Sequence, residues 1–413
     1  MALRASLHTA GAKALTQLLQ FAPPPETARQ VPCACGQQAV YVELRSKTVL
    51  TVVGKAQVQR PYYLCPNCGH GQFPVDVDLD LGATEFSPGV RRMLAVVGHT
   101  VAFDHGRQQI EALAGLQVTT KAVERIAEAI GEDIAQRQEK ALALPTQMPL
   151  PIRRRPAIPF LYVEMDGTGI PVVRAETKGR AGKQEGQPAH TREAKLGCVF
   201  TQTTVDENGR PVRDEASTTY IAKIESAEEF GRRLYAEALR RGWDEALNKS
   251  VLGDGAVWVW NQAELHFFDA VHIVDLWHAS EHLWHVARSL HPTDLVQQRR
   301  WIMPQQHKLE NGKIESLVKI FDLLARDYPA SAKLLADESQ YFQRNAQRMR
   351  YPEFRKMGFF VGSGVVEAGC KSMGSRLKQS GMFWTVRGAN AMLALRCCML
   401  SGNFEDYWEA RRA

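Results

Sequence analysis

No apolar run in this 413-residue chain approaches the roughly 18 residues that a membrane-crossing helix needs, so no membrane partner is expected. No acid precedes Glu26 and no secretory signal is visible. The opening MALRASLHTAGAKALTQLLQ faintly resembles an organelle transit peptide, but the plainer expectation is a first helix closed by FAPPPE. Cysteine is sparse: the eight stand at 33, 35, 65, 68, 198, 370, 397 and 398. A secreted disulfide framework would spread its cysteines evenly through a much smaller chain, so a reducing cytoplasm is expected. An excess of acid is also missing. Net charge is +6, and from residue 286 onward twenty Lys and Arg face twelve acids, which suits a polyanionic partner. At 45% hydrophobic and 23% charged residues the composition is that of an ordinary globular protein, long enough to divide into two or three units.

CACG at 33–36 and CPNCG at 65–69 bracket a strand-like stretch, AVYVELRSKTVLTVVGKAQVQRPYYL. Two cysteine turns joined by a hairpin would gather Cys33, Cys35, Cys65 and Cys68 around one tetrahedral Zn²⁺, as in a zinc ribbon. The CAC turn is one residue shorter than the usual C-x-x-C, which leaves free buried thiols as the alternative, and His70 could stand in for a failed cysteine. With four positions filled, such a metal is structural.

Beyond PVDVDLDLG the pattern turns helical. Ser87 precedes Pro88 as a cap before a first-turn proline, and GVRRMLAVVGHTVA carries apolar residues at helical spacing. The following stretch predicts a short helix, a turn at Gly115, and a longer helix capped by Thr119 or Thr120. It is either a helix-turn-helix, with Lys121 and Arg125 facing DNA, or a plain helical hairpin. The basic, proline-rich PTQMPLPIRRRP ends this region.

FLYVEMDGTG at 160–169 drives an apolar strand to Asp166, with Gly-Thr-Gly expected to stop it; SVLGDG repeats the device at Asp254. A buried carboxylate is unfavourable unless paired or holding a cation, and the neighbouring glycine would let a ligand approach. FLYVEMD, IPVVRAE and AKLGCVFTQTTV read as three strands, followed by the helix AEEFGRRLYAEALRRG, the Asp254 strand, a helix and the strand AVHIVDLWHA. That is the order of the ribonuclease H fold, an α/β architecture in which the first and fourth strands are neighbours. The third acid is Glu367 in GSGVVEAGCKSMGSRLKQSG, with Lys371 one turn on. Three carboxylates favour Mg²⁺ or Mn²⁺, and two such ions can drive phosphodiester cleavage. Glu164 shares the strand face of Asp166 and is either a fourth ligand or half of an ion pair at the sheet surface.

YVEMDGTGIPVV, TREAKLGCVFT, VLGDGAVWVWN, HIVDLWHASEHL and GSGVVEAGCKSMGSRLKQSGMFWT, with the CPNCG knuckle, resemble the DDE transposases of bacterial insertion sequences, in particular the ISKra group. The resemblance spans nearly the whole chain. It implies that Asp166, Asp254 and Glu367 are the catalytic triad, supported by Asp275 and His278 of a D-x-x-H signature. It also implies cleavage of element ends and transfer of 3′-hydroxyl strands to target DNA by an oligomer at the bacterial nucleoid. Arg299, Arg300, Arg344, Arg348 and Arg350 of a helical insertion, and Lys371, would face DNA. Trp384 is expected either to stack on a flipped base or to fill the core. The implied domains are 1–82 (first helix and ribbon), 83–150 (helical DNA-binding region), 157–284 (core), 285–355 (insertion) and 356–413 (C-terminal helices with Glu367).

Three other functions compete. His278, Glu281 and His282 spell the H-x-x-E-H of inverted zinc peptidases, which leaves Asp166 and Asp254 without a role. A DNA-binding regulator derived from a transposase would need only the ribbon and the helical region. A nuclease on the same fold would cut strands without joining them.

Overall fold

The computed structural model describes residues 2–82, 84–143, 157–182 and 187–411. The basic stretch around 145–156, expected to separate two domains, lies outside them. The chain divides into two compact units, residues 1–131 with 406–413, and residues 132–405. No described helix is long and apolar enough to cross a membrane.

In the first unit helix α1 (Ala2–Leu18) precedes a four-stranded antiparallel sheet of β1 (Gln30–Pro32), β2 (Gln38–Thr51), β3 (Gly54–Leu64) and β4 (Gly71–Gln72), in that order. The long β2–β3 hairpin buries Val49 and Val58 against Leu81 at one end and Ala39 and Tyr63 beside Cys33 and Cys65 at the other. After the short α2 (Pro74–Asp78) comes α3 (Pro88–Thr100), where Ser87 Oγ accepts from Val90 N as the Ser-Pro pair predicts. Helix α4 (Phe103–Gln109) and a π-turn end at Gly115, which is left-handed at φ 69°, and α5 (Thr120–Ala143) follows. Thr119 Oγ1 accepts from Ala122 N at its start.

The second unit is built on a five-stranded sheet. In chain order its strands are β5 (Ile158–Pro171), β6 (Thr191–Gln202), then, after the small hairpin of β7 (Thr204–Val205) and β8 (Pro211–Val212), β9 (Thr219–Lys223), β10 (Ala246–Gly253) and β11 (Val271–Val274). Across the sheet the order is β11-β10-β5-β6-β9, with β10 parallel to both β5 and β11 and the other pairs antiparallel. Helix α6 (Ala227–Arg240), opened by a capping box at Ser226 and Glu229, returns the chain to β10. Helix α7 (Val257–His266) joins β10 to β11.

Two strand assignments differ from expectation. Gly167, Thr168 and Gly169 do not stop β5, which stays paired with β6 as far as Pro171. IPVVRAE is therefore the end of β5 and a 3₁₀ turn, and the third strand is TYIAK at 219–223. Asp275 likewise ends β11 by capping α8 (Leu276–Leu290), so DLWHA is helical.

The remaining helices are α9 (Leu295–Glu310), α10 (Ile314–Asp327), α11 (Ala332–Asn345), α12 (Tyr351–Lys356), α13 (Gly364–Leu377), α14 (Val386–Leu400) and α15 (Phe404–Glu409). Helix α13 lies against β5 and β6. It comes close because residue 369 is glycine: a Cβ there would meet Tyr220 and Leu196 at 2.8 and 2.9 Å.

Candidate active site and metal centres

The parallel register pairs Met165 of β5 with Gly253 of β10, the last rung of that ladder. The next residue on each chain segment is an aspartate, so Asp166, still paired with β6, and Asp254, just past the end of β10, lie side by side where the parallel pairing stops. Asp166 Oδ1 accepts from Gly167 N at 2.6 Å, and Asp254 Oδ1 from Ala256 N at 2.9 Å. Burial, helped by the charge of Asp166, raises the Asp254 carboxyl above its ordinary value.

Glu367 arrives from α13, and two buried acids fix the start of that helix. Asp275 Oδ2 accepts from Ser363 N, and Glu164 Oε2 accepts from Val366 N at 2.7 Å. Asp275 Oδ1 also accepts from His278 N at 2.6 Å and faces His278 Nδ1 at 3.0 Å. Burial opposes ionisation of Asp275, yet the His278 bonds hold its carboxyl below the ordinary value. In return the Asp275 bond raises His278 to about 9, with Asp254 and Glu367 adding to the effect. His278 Nδ1 lies 3.9 Å from Glu367 Oε1, while Lys371 reaches Glu367 Oε2 at 3.8 Å. Cys370, one turn beyond Glu367, touches Asp166; burial first, and then that carboxylate, push its thiol up. Asp166, Asp254 and Glu367 thus lie in one neighbourhood, Asp254 and Glu367 acting on His278 and Asp166 and Glu367 acting on Cys370.

They do not form a closed cage. Among the described residues the ligand atoms that come within 4.8 Å of one another here belong to Asp275, His278 and Glu367, with Asp166 and Asp254 outside that group. The glycines after the aspartates serve the protein's own packing: a Cβ on Gly255 would strike Tyr341 at 2.6 Å, and one on Gly167 would strike Glu193 at the same distance.

Glu164 is not at the sheet surface. It is fully buried, and burial raises its carboxyl to about 8, against which the Val366 amide acts. Cys198 Sγ lies 3.7 Å from Oε2, and Oε1 has no partner. Burial thus favours the neutral form of Glu164, and its accepting oxygen positions α13. Glu164→Gln keeps that oxygen and is expected to unfold in urea within about 1 kcal/mol of wild type, whereas Glu164→Ala strands a buried amide and opens a cavity at a cost of about 2–4 kcal/mol. Equal losses in the two variants would remove this role. Periodicity placed Glu164 on the Asp166 face, but only the packing of α13 reveals its burial.

In the first unit the four cysteines converge. Cys33 Sγ lies 3.6 Å from Cys68 Sγ, and Cys35 Sγ lies 3.6 Å from Cys65 Sγ. A tetrahedral ion with Zn–S bonds of about 2.3 Å holds its sulfurs about 3.8 Å apart, so the cluster could bind a structural metal such as zinc. The short CAC turn suffices because Cys33 N donates to Gln37 O and Gly36 N to Cys33 O, while Cys65 N donates to His70 O and Gly69 N to Cys65 O. Each turn presents one buried and one exposed sulfur. His70 is not in the group.

The predicted DNA-facing residues separate into two sets. Arg299, Arg300, Arg344 and Lys371 are exposed. Arg348 is held by Glu264 at 2.6 Å beneath the Trp260 ring, and Arg350 is held by Glu315. Lys121 and Arg125 are exposed and pair with Glu124 at 2.7 Å and Glu85 at 2.8 Å. Trp384 is 6% exposed and donates from Nε1 to Leu377 O at 3.0 Å, so it fills the core and cannot stack on a base; its neighbour Phe383 is the exposed ring. The peptidase pattern does not assemble: His278 engages Asp275, whereas His282 engages Glu338 on α11 at 2.6 Å.

The sheets and helices make this a mixed α/β protein, with Asp166 and Asp254 side by side where two parallel strands cease to pair. The chain belongs to the family described as Uncharacterised protein family (UPF0236), whose model matches residues 35–411. No curated protein matches the sequence.

Proposed function

We propose that the chain is a DNA transposase on a ribonuclease H-like core, which cuts the ends of an insertion sequence and joins the 3′-hydroxyl strands to target DNA. The observation that carries the reading is the Met165–Gly253 rung, which sends Asp166 and Asp254 out on adjacent parallel strands. Sheet order and the helix-borne Glu367 support it further.

The donor set suits Mg²⁺ or Mn²⁺. Asp166, Asp254 and Glu367 supply hard oxygens, and the Asp254 carboxyl, raised by burial and then by the charge of Asp166, would be favoured in its ionised form by a cation. Bound there, divalent ions would supply Lewis-acid activation of the attacking oxygen and stabilisation of the leaving one. His278, held charged by Asp275, counters the acids and fixes their spacing from its side. Asp275 and Glu164 keep Glu367 in place by bonding to the first amides of α13. Holding two element ends at once calls for at least two copies of the chain.

The test is incubation with Mg²⁺ and DNA carrying the sequences that flank its own gene. Cleavage with 3′-hydroxyl ends followed by strand joining is the expected result. Cleavage without joining would make it a nuclease, and binding without cleavage a regulator.

Arg299 and Arg300 are expected to contact phosphates. Removing both should flatten the dependence of log K on log salt by about 2, at about 0.9 per phosphate contact. Arg348→Ala and Arg350→Ala should leave the slope unchanged, because Glu264 and Glu315 already occupy those guanidinium groups. Fluorescence anisotropy across a salt series reads both.

A further inference from the structure

We infer that His282, His285 and Glu338 form a separate metal site, suited to a nitrogen-preferring divalent ion such as Zn²⁺. His282 and His285 stand three residues apart on α8 and so share a face. Glu338 on α11 faces both: Oε2 lies 2.6 Å from His282 Nδ1, and Oε1 lies 3.7 Å from His285 Nδ1. One donor atom from each falls within 4.8 Å of the others. An ion bound at about 2.1 Å to imidazole nitrogen and carboxylate oxygen sets tetrahedral donors about 3.4 Å apart. These two separations bracket that spacing, and the 2.6 Å contact would open as the ion enters.

The environment suits a cation. Glu338 is 8% exposed, and its ion-pair contacts are these two imidazoles. A carboxylate taken out of water is best served by a partner that brings positive charge as well as a bond. A divalent ion brings both, and it leaves a fourth position for water on the side where His285 is 53% exposed. Two nitrogens among three donors select Zn²⁺, Co²⁺ or Ni²⁺ over Mg²⁺.

The seat is stiff on its inner side. The His282 ring stacks on Tyr341 at 3.7 Å between centroids, and the Tyr341 hydroxyl donates to the Asp254 carbonyl at 3.1 Å. An ion here would tie α8 to α11 and steady the turn that carries Asp254.

The test uses the full chain stripped of metal and reloaded with Co²⁺, which reports the thiolate cluster by intense sulfur-to-metal charge-transfer bands and an imidazole–carboxylate site by weak visible bands alone. His285→Ala, Glu338→Gln and, as a control, Glu367→Gln are compared with wild type by visible spectra and by bound metal per chain. His285 lies largely in solvent, so its loss spares the core, and unchanged charge-transfer bands and far-ultraviolet dichroism verify the fold of each variant. The expected result is loss of one equivalent and of the weak visible bands in both His285→Ala and Glu338→Gln, with affinity at that site lowered by more than about 100-fold. Equal metal content in wild type and His285→Ala overturns the inference. So does loss confined to Glu367→Gln, which assigns the ion to Asp275, His278 and Glu367.

Discussion

Asp254→Asn is expected to abolish strand cleavage while leaving the protein as stable as wild type or slightly more so. The carboxyl is raised by burial and by Asp166, so its charge opposes folding, and an amide relieves that strain while Oδ1 still accepts from Ala256 N. Loss of an anionic ligand removes several kcal/mol of charge stabilisation, a fall of about 10³-fold or more in rate at about 1.4 kcal/mol per decade. Asp166→Asn, which keeps the Gly167 bond, and Glu367→Gln should lose cleavage in the same way. Asp275→Asn should do the opposite in stability. Its carboxyl is depressed from 3.8 by the His278 bonds despite burial, so the interaction stabilises the fold above that value and is lost as pH falls through the lower, folded one. Single-turnover cleavage paired with urea unfolding separates the two kinds of acid. An Asp254→Asn chain that still cuts DNA at the wild-type rate would end the transposase reading.

The parts of this site legible in sequence are those set by local chain chemistry. An apolar run followed by Asp-Gly marks a strand exit at 254, where β10 ends at Gly253, and at 166 it marks the end of the pairing with β10. Where a strand ends was harder to read: β5 runs through Gly167 and Gly169 because β6 keeps pairing with it, a tertiary fact that outweighs glycine's weak strand preference. The short TYIAK strand lacked a periodic signal, and the false strand at IPVVRAE replaced it in the count. The two errors offset each other, so the first and fourth strands were still paired. Side-chain roles decided by distant partners were not legible. Nothing local distinguishes buried Trp384 from exposed Phe383, or Arg348 and Arg350, held by Glu264 and Glu315, from Arg299 and Arg300. Glycine beside an acid suggested room for a ligand, yet at Gly255 the room belongs to Tyr341 from a helix 86 residues further along the chain.

Cys68→Ser is expected to remove the structural metal that the four cysteines could bind, and with it the order of the cysteine end of the first unit. Cys68 is exposed, so as a free thiol its replacement would be nearly neutral. As one of four ligands it closes the cluster that joins β1, of three residues, and β4, of two, to the long hairpin. The buried cluster beneath the knuckles comprises Cys33, Ala39, Tyr63 and Cys65 with half-buried Val31 and Tyr41 against it, too little apolar surface to fix such short strands unaided. Metal binding at four thiolates supplies on the order of 10 kcal/mol. Mass spectrometry should find the zinc of this site missing from the variant, and limited proteolysis should cut between residues 30 and 72, where the wild type resists until a chelator is added. A Cys68→Ser protein with wild-type metal content and an uncut ribbon would show that the four sulfurs are neighbours without a shared ion.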